Sequence, residues 1–465
     1  MSLWTSTDAA KATQGDVHTE WSATGVSINT RTLKPGDLFV ALQGPNLDGH
    51  DYVANAFEKG AAAAMISHRP AVLDADAPVL VVGDTMRALE DLGRFARDRV
   101  SAKVLAVTGS VGKTGVKEAL KFVLSEQGRT SASEGSLNNH WGLPLSLARM
   151  PADADFAVLE MGMNHPGELT PLSRMARPHV CVITTIAPAH TEFFSGPADI
   201  AKAKAEIYAG AEPGAVAVLN RDIPEYAPLA SDAVHAGIER IVGFGEHPDA
   251  AFRVLGYTLD ATGSEVQAVT PDGELSYRVG IPGRHWVMNS LCVLAAVSAA
   301  GGDVSRAADS LSRLAAPSGR GQRFEISVPG GKVLLIDESY NASPEAMRAA
   351  LAVLAAQPVT AGGRRIAVLG DMLELGDETV ERHAELAKAT NGADIVCCVG
   401  EAMGALWNAL PESRRGFAAK TSRDAAQILS RDVGPGDVVM VKGSAGLKMG
   451  QIVTALKDAD VREEG

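Results

Sequence analysis

The chain has 465 residues, beyond the ~250–300 at which one hydrophobic core stops growing, so two or three domains are expected. Hydrophobic residues at 46% and charged residues at 21% are ordinary globular proportions and exclude a disordered chain. Lys and Arg number 43 against 56 Asp and Glu. The net charge of −13 repels polyanions, so no nucleic acid is expected as a partner, although a small anion can sit in a local positive pocket.

The longest apolar run, residues 287–300, is interrupted by Asn289 and Ser290 and is too short for the ~30 Å of a bilayer. No basic stretch followed by an apolar one opens the chain, so a cytoplasmic protein without membrane insertion is expected. Cys181, Cys292, Cys397 and Cys398 lack metal-ligand spacing, and three of them lie in apolar runs, which predicts buried free thiols. Cys397 and Cys398, adjacent in a strand, should point to opposite faces.

In chain order, the first hundred residues carry short strand-like pieces, 37–42 and 79–82, between turn signals. In Lys34-Pro-Gly-Asp37, Pro fixes φ and Gly accepts a positive one. Residues 29–42 read by themselves as a strand hairpin with polar turns. From residue 103, apolar runs at 104–107, 156–160, 180–184 and 215–219 alternate with helical patterns, which predicts a mostly parallel sheet covered on both faces. Pro, Ser and Gly in residues 315–321 interrupt this texture and mark a linker. Beyond it, strands at 333–336, 366–369, 395–399 and 438–441 alternate with helices. One helix begins at Ser343-Pro344-Glu345, where Ser can cap and Pro can take the first helical position. The expected fold is α/β in three domains, 1–101, 102–316 and 317–465, the last a second doubly wound, Rossmann-like unit.

The strongest chemical signal is residues 104–114, an apolar strand running into Thr108-Gly-Ser-Val-Gly-Lys-Thr114 and then a helix. Backbone N–H groups of Gly109, Ser110, Val111 and Gly112 can cradle phosphates, with Lys113 reaching the terminal ones and the Thr114 hydroxyl binding Mg²⁺. A general P-loop has Gly five residues before Gly112; Val107 stands there, so this is a shortened variant. Glu160 follows the strand at 156–160, and His190, in Ala187-Pro-Ala-His-Thr-Glu192, follows the next one. Carboxylates and imidazoles at the C-terminal ends of parallel strands are where such sheets place ligands and metals, so both can converge on Mg²⁺. Residues 201–208, Ala-Lys-Ala-Lys-Ala-Glu-Ile-Tyr, read alone as a lysine-bearing helix.

From end to end these motifs resemble the Mur ligase family, whose loop reads T-G-S/T-x-G-K-T. The resemblance implies a small N-terminal uridine-nucleotide domain, a central P-loop domain and a C-terminal ligase domain. It places Glu160 and His190 at Mg²⁺ ligand positions and Lys204 at the position of a carbamylated lysine. Adding CO₂ turns a would-be cation into an anion able to bind Mg²⁺. Gly283-Arg-His-Trp-Val-Met-Asn289 resembles the family's adenine-contacting element, with Asn289 at the contact. Arg323 occupies the interdomain arginine position that reaches ATP phosphate, with Arg320 as the alternative. Asp337-Glu-Ser-Tyr-Asn-Ala342 resembles the element that closes over the nucleotide, through Asp337 and Asn341.

Residues 29–42 with Asp48-Gly-His50 resemble the uridine-nucleotide domain, implying that Thr30, Arg31, Asp48 and His50 serve the UDP moiety. Ser136-Leu-Asn-Asn-His-Trp-Gly-Leu-Pro144, with Asn138 and Asn139, resembles a substrate loop of the member that adds a dipeptide, as does Gly370-Asp-Met-Leu-Glu-Leu-Gly376. The implied substrates are ATP, UDP-N-acetylmuramoyl-tripeptide and D-alanyl-D-alanine, joined through an acyl phosphate by a monomer. Asp371 and Glu374 are candidates for the dipeptide pocket. One departure stands out: the family's K-G-S-R reads Lys442-Gly-Ser-Ala445, with Lys448 three residues on. Competing readings are a diamino-acid-adding Mur ligase, a folylpolyglutamate synthase-like relative, and a P-loop motor or switch ATPase.

Overall fold

The computed structural model describes residues 2–187, 194, 196–360 and 362–463, with side chains to residue 458. Three α/β layers follow one another along the chain. The N-terminal sheet runs Asp16–Val17, Val79–Val81, Ala63–Ile66, Asp37–Val40, Gly25–Ser27, parallel apart from its first pair. Residues 29–42 therefore do not form a hairpin. Gly25–Ser27 and Asp37–Val40 run in the same direction, because the turn between them carries the chain back before the second strand starts.

The central sheet has nine strands in the order Thr130–Ala132, Phe156–Glu160, Lys103–Thr108, Val180–Ile183, Val216–Asn220, Arg240–Gly245, Phe252–Leu259, Ser264–Thr270, Gly273–Val279. The first seven are mutually parallel. Alternation divides its residues between two cores. Leu105, Val107, Val158, Val180 and Val182 meet the helices Lys113–Ser125 and Arg284–Ala299. Val104, Ala106, Ala157, Leu159, Cys181 and Ile183 face the opposite layer. The apolar run near residue 290 is thus a buried helix. The last two strands are antiparallel and were not expected from the sequence. Their signal was available in the buried–exposed alternation of Ser264–Thr270 and in Asp272-Gly273, a hairpin turn pair.

The C-terminal sheet runs Gln322–Val328, Gly331–Glu338, Val438–Lys442, Arg365–Gly370, Ile395–Val399, Arg415–Ala419, parallel after its first pair. Cys397 and Cys398 point into opposite cores of this sheet, and all four cysteines are buried free thiols. Ser343 caps the helix Pro344–Ala355, accepting from the Ala346 N–H at 3.3 Å, with Pro344 at its first position. Among the described residues no helix is long and apolar enough to cross a membrane.

The N-terminal and central layers share side chains. Leu145 and Ala148 of the helix Gly142–Ala148 complete the N-terminal core, against the helix Thr85–Asp98. From the latter, buried Arg97 donates to the Ala176 carbonyl at 2.7 Å, the Arg177 carbonyl at 2.9 Å and Glu212 at 3.3 Å. Arg97→Met leaves three acceptors without their donor and should lower stability by about 2–4 kcal/mol. Chemical denaturation followed by near-ultraviolet circular dichroism checks this.

Candidate active site

The phosphate turn is shaped by two glycines. Gly112 has φ 88°, which an L side chain adopts only with strain, and it precedes the helix Lys113–Ser125. At Gly109, with φ 148°, a Cβ would lie 2.0 Å from Thr184 Oγ1. Thr184 follows the neighbouring strand and donates its hydroxyl to the Val111 carbonyl at 2.6 Å, fixing the turn against the sheet. Gly115 lets the Trp286 ring approach, since a Cβ there would meet it at 3.2 Å. Helix N–H groups thereby point into a cavity of about 710 Å³.

Ser110, Val111, Gly112, Lys113, Thr114, Asn138, Asn139, Glu160, Asn289 and Asn341 all line this cavity, beside Arg320, Glu338, Tyr340 and Lys442. Lys113 Nζ donates to its own loop carbonyls, Gly109 at 2.7 Å and Ser110 at 3.3 Å. Burial, opposed by Glu160 and helped by Arg320, lowers its pKa. Glu160 is 1% exposed; one carboxylate oxygen accepts the Asn138 amide at 2.8 Å, and the other is buried with no hydrogen-bond partner among the described residues. Lys204 is buried too, and burial with the nearby Lys113 holds its pKa well below the ordinary lysine range. His190 lies outside the described residues.

Several expected residues sit elsewhere. Arg323 does not line the cavity; its guanidinium turns to Gln357 Oε1, and its buried Nε has no partner among the described residues. Arg320 stands there instead, donating to Thr114 Oγ1 at 3.0 Å and lying over the Tyr340 ring at 4.0 Å. The two differ because residue 323 already belongs to the strand Gln322–Val328, whereas Arg320 is still on the linker turn that faces the P-loop. Asp337 lies behind the cavity wall, accepting from the Ser339 N–H at 3.0 Å and hydroxyl at 2.6 Å. Asp371 is occupied by the backbone N–H groups of Glu401 and Met403, while Glu374 does reach the cavity. Ala445 lines the cavity and Lys448 does not, so Lys448 does not take the place of the missing arginine.

A second cavity, of about 1160 Å³, opens on the N-terminal layer and is lined by Thr30 and Arg31. Asp48 and His50 are not in its wall. His50 is buried, its Nδ1 2.6 Å from Asp48 and its Nε2 accepting the Ser67 N–H at 2.9 Å, so both ring nitrogens hold the loop together. Asn138 and Asn139 belong to the first cavity, with Asn139 accepting the Gly142 N–H at 2.9 Å. Their loop walls both cavities: Glu134, Gly135, Ser136, Leu137 and Trp141 line the larger one. Sequence reasoning gave no role to Glu338 and Lys442, which pair at 3.1 Å and both line the nucleotide cavity; each is a member of a motif already quoted.

Gly109→Ala should weaken ADP binding by about 1–3 kcal/mol, roughly 5- to 150-fold, because the turn cannot keep its path past Thr184. Titration calorimetry measures it.

Three family models match in succession: Mur ligase family catalytic domain over residues 22–97, Mur ligase middle domain over 107–297, and Mur ligase glutamate ligase domain over 322–445. The UDP-N-acetylmuramoyl-tripeptide–D-alanyl-D-alanine ligase of Escherichia coli (strain K12) is 36% identical over 441 residues, 93% of each chain. A crystal structure of MurF from Acinetobacter baumannii has a TM-score of 0.82 at 31% identity, covering 98% of this chain and 99% of that one. The MurF ligase of Thermotoga maritima in complex with ADP has a TM-score of 0.76 at 27% identity, covering 95% and 98%. With this coverage, and with the phosphate turn and interdomain cavity its motifs call for, the chain belongs to the Mur ligase family.

Proposed function

We propose that the protein is an ATP-dependent amide ligase that joins D-alanyl-D-alanine to UDP-N-acetylmuramoyl-tripeptide through an acyl phosphate, as a cytoplasmic monomer in peptidoglycan precursor synthesis. The observation that carries this is the loop 134–141 walling two cavities at once. A long substrate with its nucleotide end against Thr30 and Arg31 can lay its carboxylate beside Lys113 and Arg320. The names of the E. coli relative and of the ADP-bound structure support the same assignment.

A carboxylate is a poor acceptor for an amine because it repels the nucleophile and offers no leaving group. Its oxygen attacks the γ-phosphorus and ADP departs; the dipeptide amine then attacks the acyl carbon and phosphate departs. The first step brings two anions together. Lys113 and Arg320 offset that repulsion by fixed positive charge in a site from which water is excluded. Arg320 sits on the linker between central and C-terminal layers, so domain closure positions it before chemistry and shields the acyl phosphate from water.

The donor set fits a divalent cation, since among the described residues one buried Glu160 carboxylate oxygen has no hydrogen-bond partner and the Thr114 hydroxyl belongs to the lining of the same cavity. Thr114, Glu160, His190 and Lys204 would hold Mg²⁺, which when bound neutralises charge between carboxylate and triphosphate. Lys204 joins such a set only as an anion. Its depressed pKa, caused first by burial, favours the neutral amine, the form that adds CO₂ to become a carbamate.

Phosphate release should require ATP, the tripeptide and the dipeptide together; release that ignores both acceptors would assign a motor or switch ATPase instead. Arg320→Ala should lower kcat by about 10²–10³-fold, the size expected for one charge-stabilising donor, while Arg323→Ala leaves turnover close to that of the unaltered enzyme. Turnover should fall in CO₂-free buffer and recover with bicarbonate, and Lys204→Arg should abolish that recovery.

A further inference from the structure

We propose that Lys117 is a positioning residue that ties the nucleotide-binding helix to the substrate loop, an inference that rests on the ligase reading above for what the loop holds. Lys117 lies one turn beyond Lys113 on the helix Lys113–Ser125, yet its side chain is 0% exposed. An ammonium has three N–H donors. Here it meets three acceptors: the Glu118 carboxylate, the Ser133 carbonyl at 2.8 Å and the Gly135 carbonyl at 3.4 Å. Two of those acceptors are the root of the loop that walls both cavities.

From that root the bonding runs directly into the reaction site. Ser133 Oγ accepts the Glu160 N–H at 3.2 Å, and Ser133 N–H donates to the Val158 carbonyl at 3.0 Å. Three residues past Gly135, Asn138 donates to the Glu160 carboxylate at 2.8 Å. The loop's register relative to Glu160 is therefore set by one buried ammonium, whereas the phosphate turn is shaped independently by Gly109, Gly112 and Thr184. A cation is needed because the two carbonyls and Glu118 compete for donors that no neutral side chain of this length supplies in that number. Losing it should misplace the tripeptide without unmaking the nucleotide site.

Lys117→Met keeps the length and removes the donors. The expected result is a folded protein whose KM for UDP-N-acetylmuramoyl-tripeptide rises at least about tenfold, with ADP affinity little changed, and Lys117→Arg restoring most of the loss. An unchanged KM, or a loss of ADP affinity in proportion, overturns the proposal. Should Lys117→Met not fold, hydrogen exchange on the unaltered protein decides: ADP should slow exchange of the amides of residues 135–139, and no slowing overturns the coupling. Turnover of the tripeptide by the unaltered enzyme tests the ligase reading separately, because the exchange measurement needs no acceptor.

Discussion

In a chain of net charge −13, the nucleotide cavity sets Lys113, Arg284, Arg320 and Lys442 among five glutamates. Burial above all lowers the pKa of Lys113 and of Lys204, with Arg320 adding to the first against the pull of Glu160 and Lys113 adding to the second. The cost of holding these basic groups out of water is the constraint on which the rest depends. It is relieved when an anion enters, which gives the site affinity for phosphate independent of shape and couples ligand binding to the stability of the fold. Glu160 offsets part of it at Lys113, and among the described residues one of its carboxylate oxygens has no hydrogen-bond partner.

The architecture serves this charge cluster by fixing two sides and leaving a third on a linker. Arg97 and the shared core around Leu145 join the N-terminal and central layers, so the two cavities keep a constant separation suited to a substrate of constant length. The C-terminal sheet is joined through residues 315–321, whose turn is stitched to it by the Gly321 N–H donating to the Asp337 carbonyl at 2.7 Å. Arg320 rides on that turn. Its contact with Thr114 Oγ1 is thus both an element of the active site and a contact between domains.

Period and turn chemistry made most of the fold readable. Apolar runs flanked by helices matched the parallel strands because a strand buried on both faces must be apolar throughout. The strands Ser264–Thr270 and Gly273–Val279 escaped because polar residues fill the exposed face of each, so neither shows the continuous apolar run that marked the parallel strands. In the site, Lys113, Thr114 and Glu160 were legible because each stands next to a strand end or a glycine turn, whereas Asn289, inside the helix Arg284–Ala299, was marked only by the family resemblance of residues 283–289. His50 and Asp371 were read as binding groups, but burial turned their polar atoms to the backbone N–H groups that needed acceptors.

The sequence by itself determined the nucleotide turn, the succession of three α/β layers and the family, since these rest on local spacing: glycines where φ is positive, a capped helix start, apolar runs of strand length. Only the tertiary structure decided which arginine of two faces the phosphate turn, that one loop walls both cavities, and that Lys117 is sealed at its root. Those outcomes depend on contacts between residues far apart in the chain, where a shift of three positions moves a guanidinium from one surface to another and no local pattern records the difference.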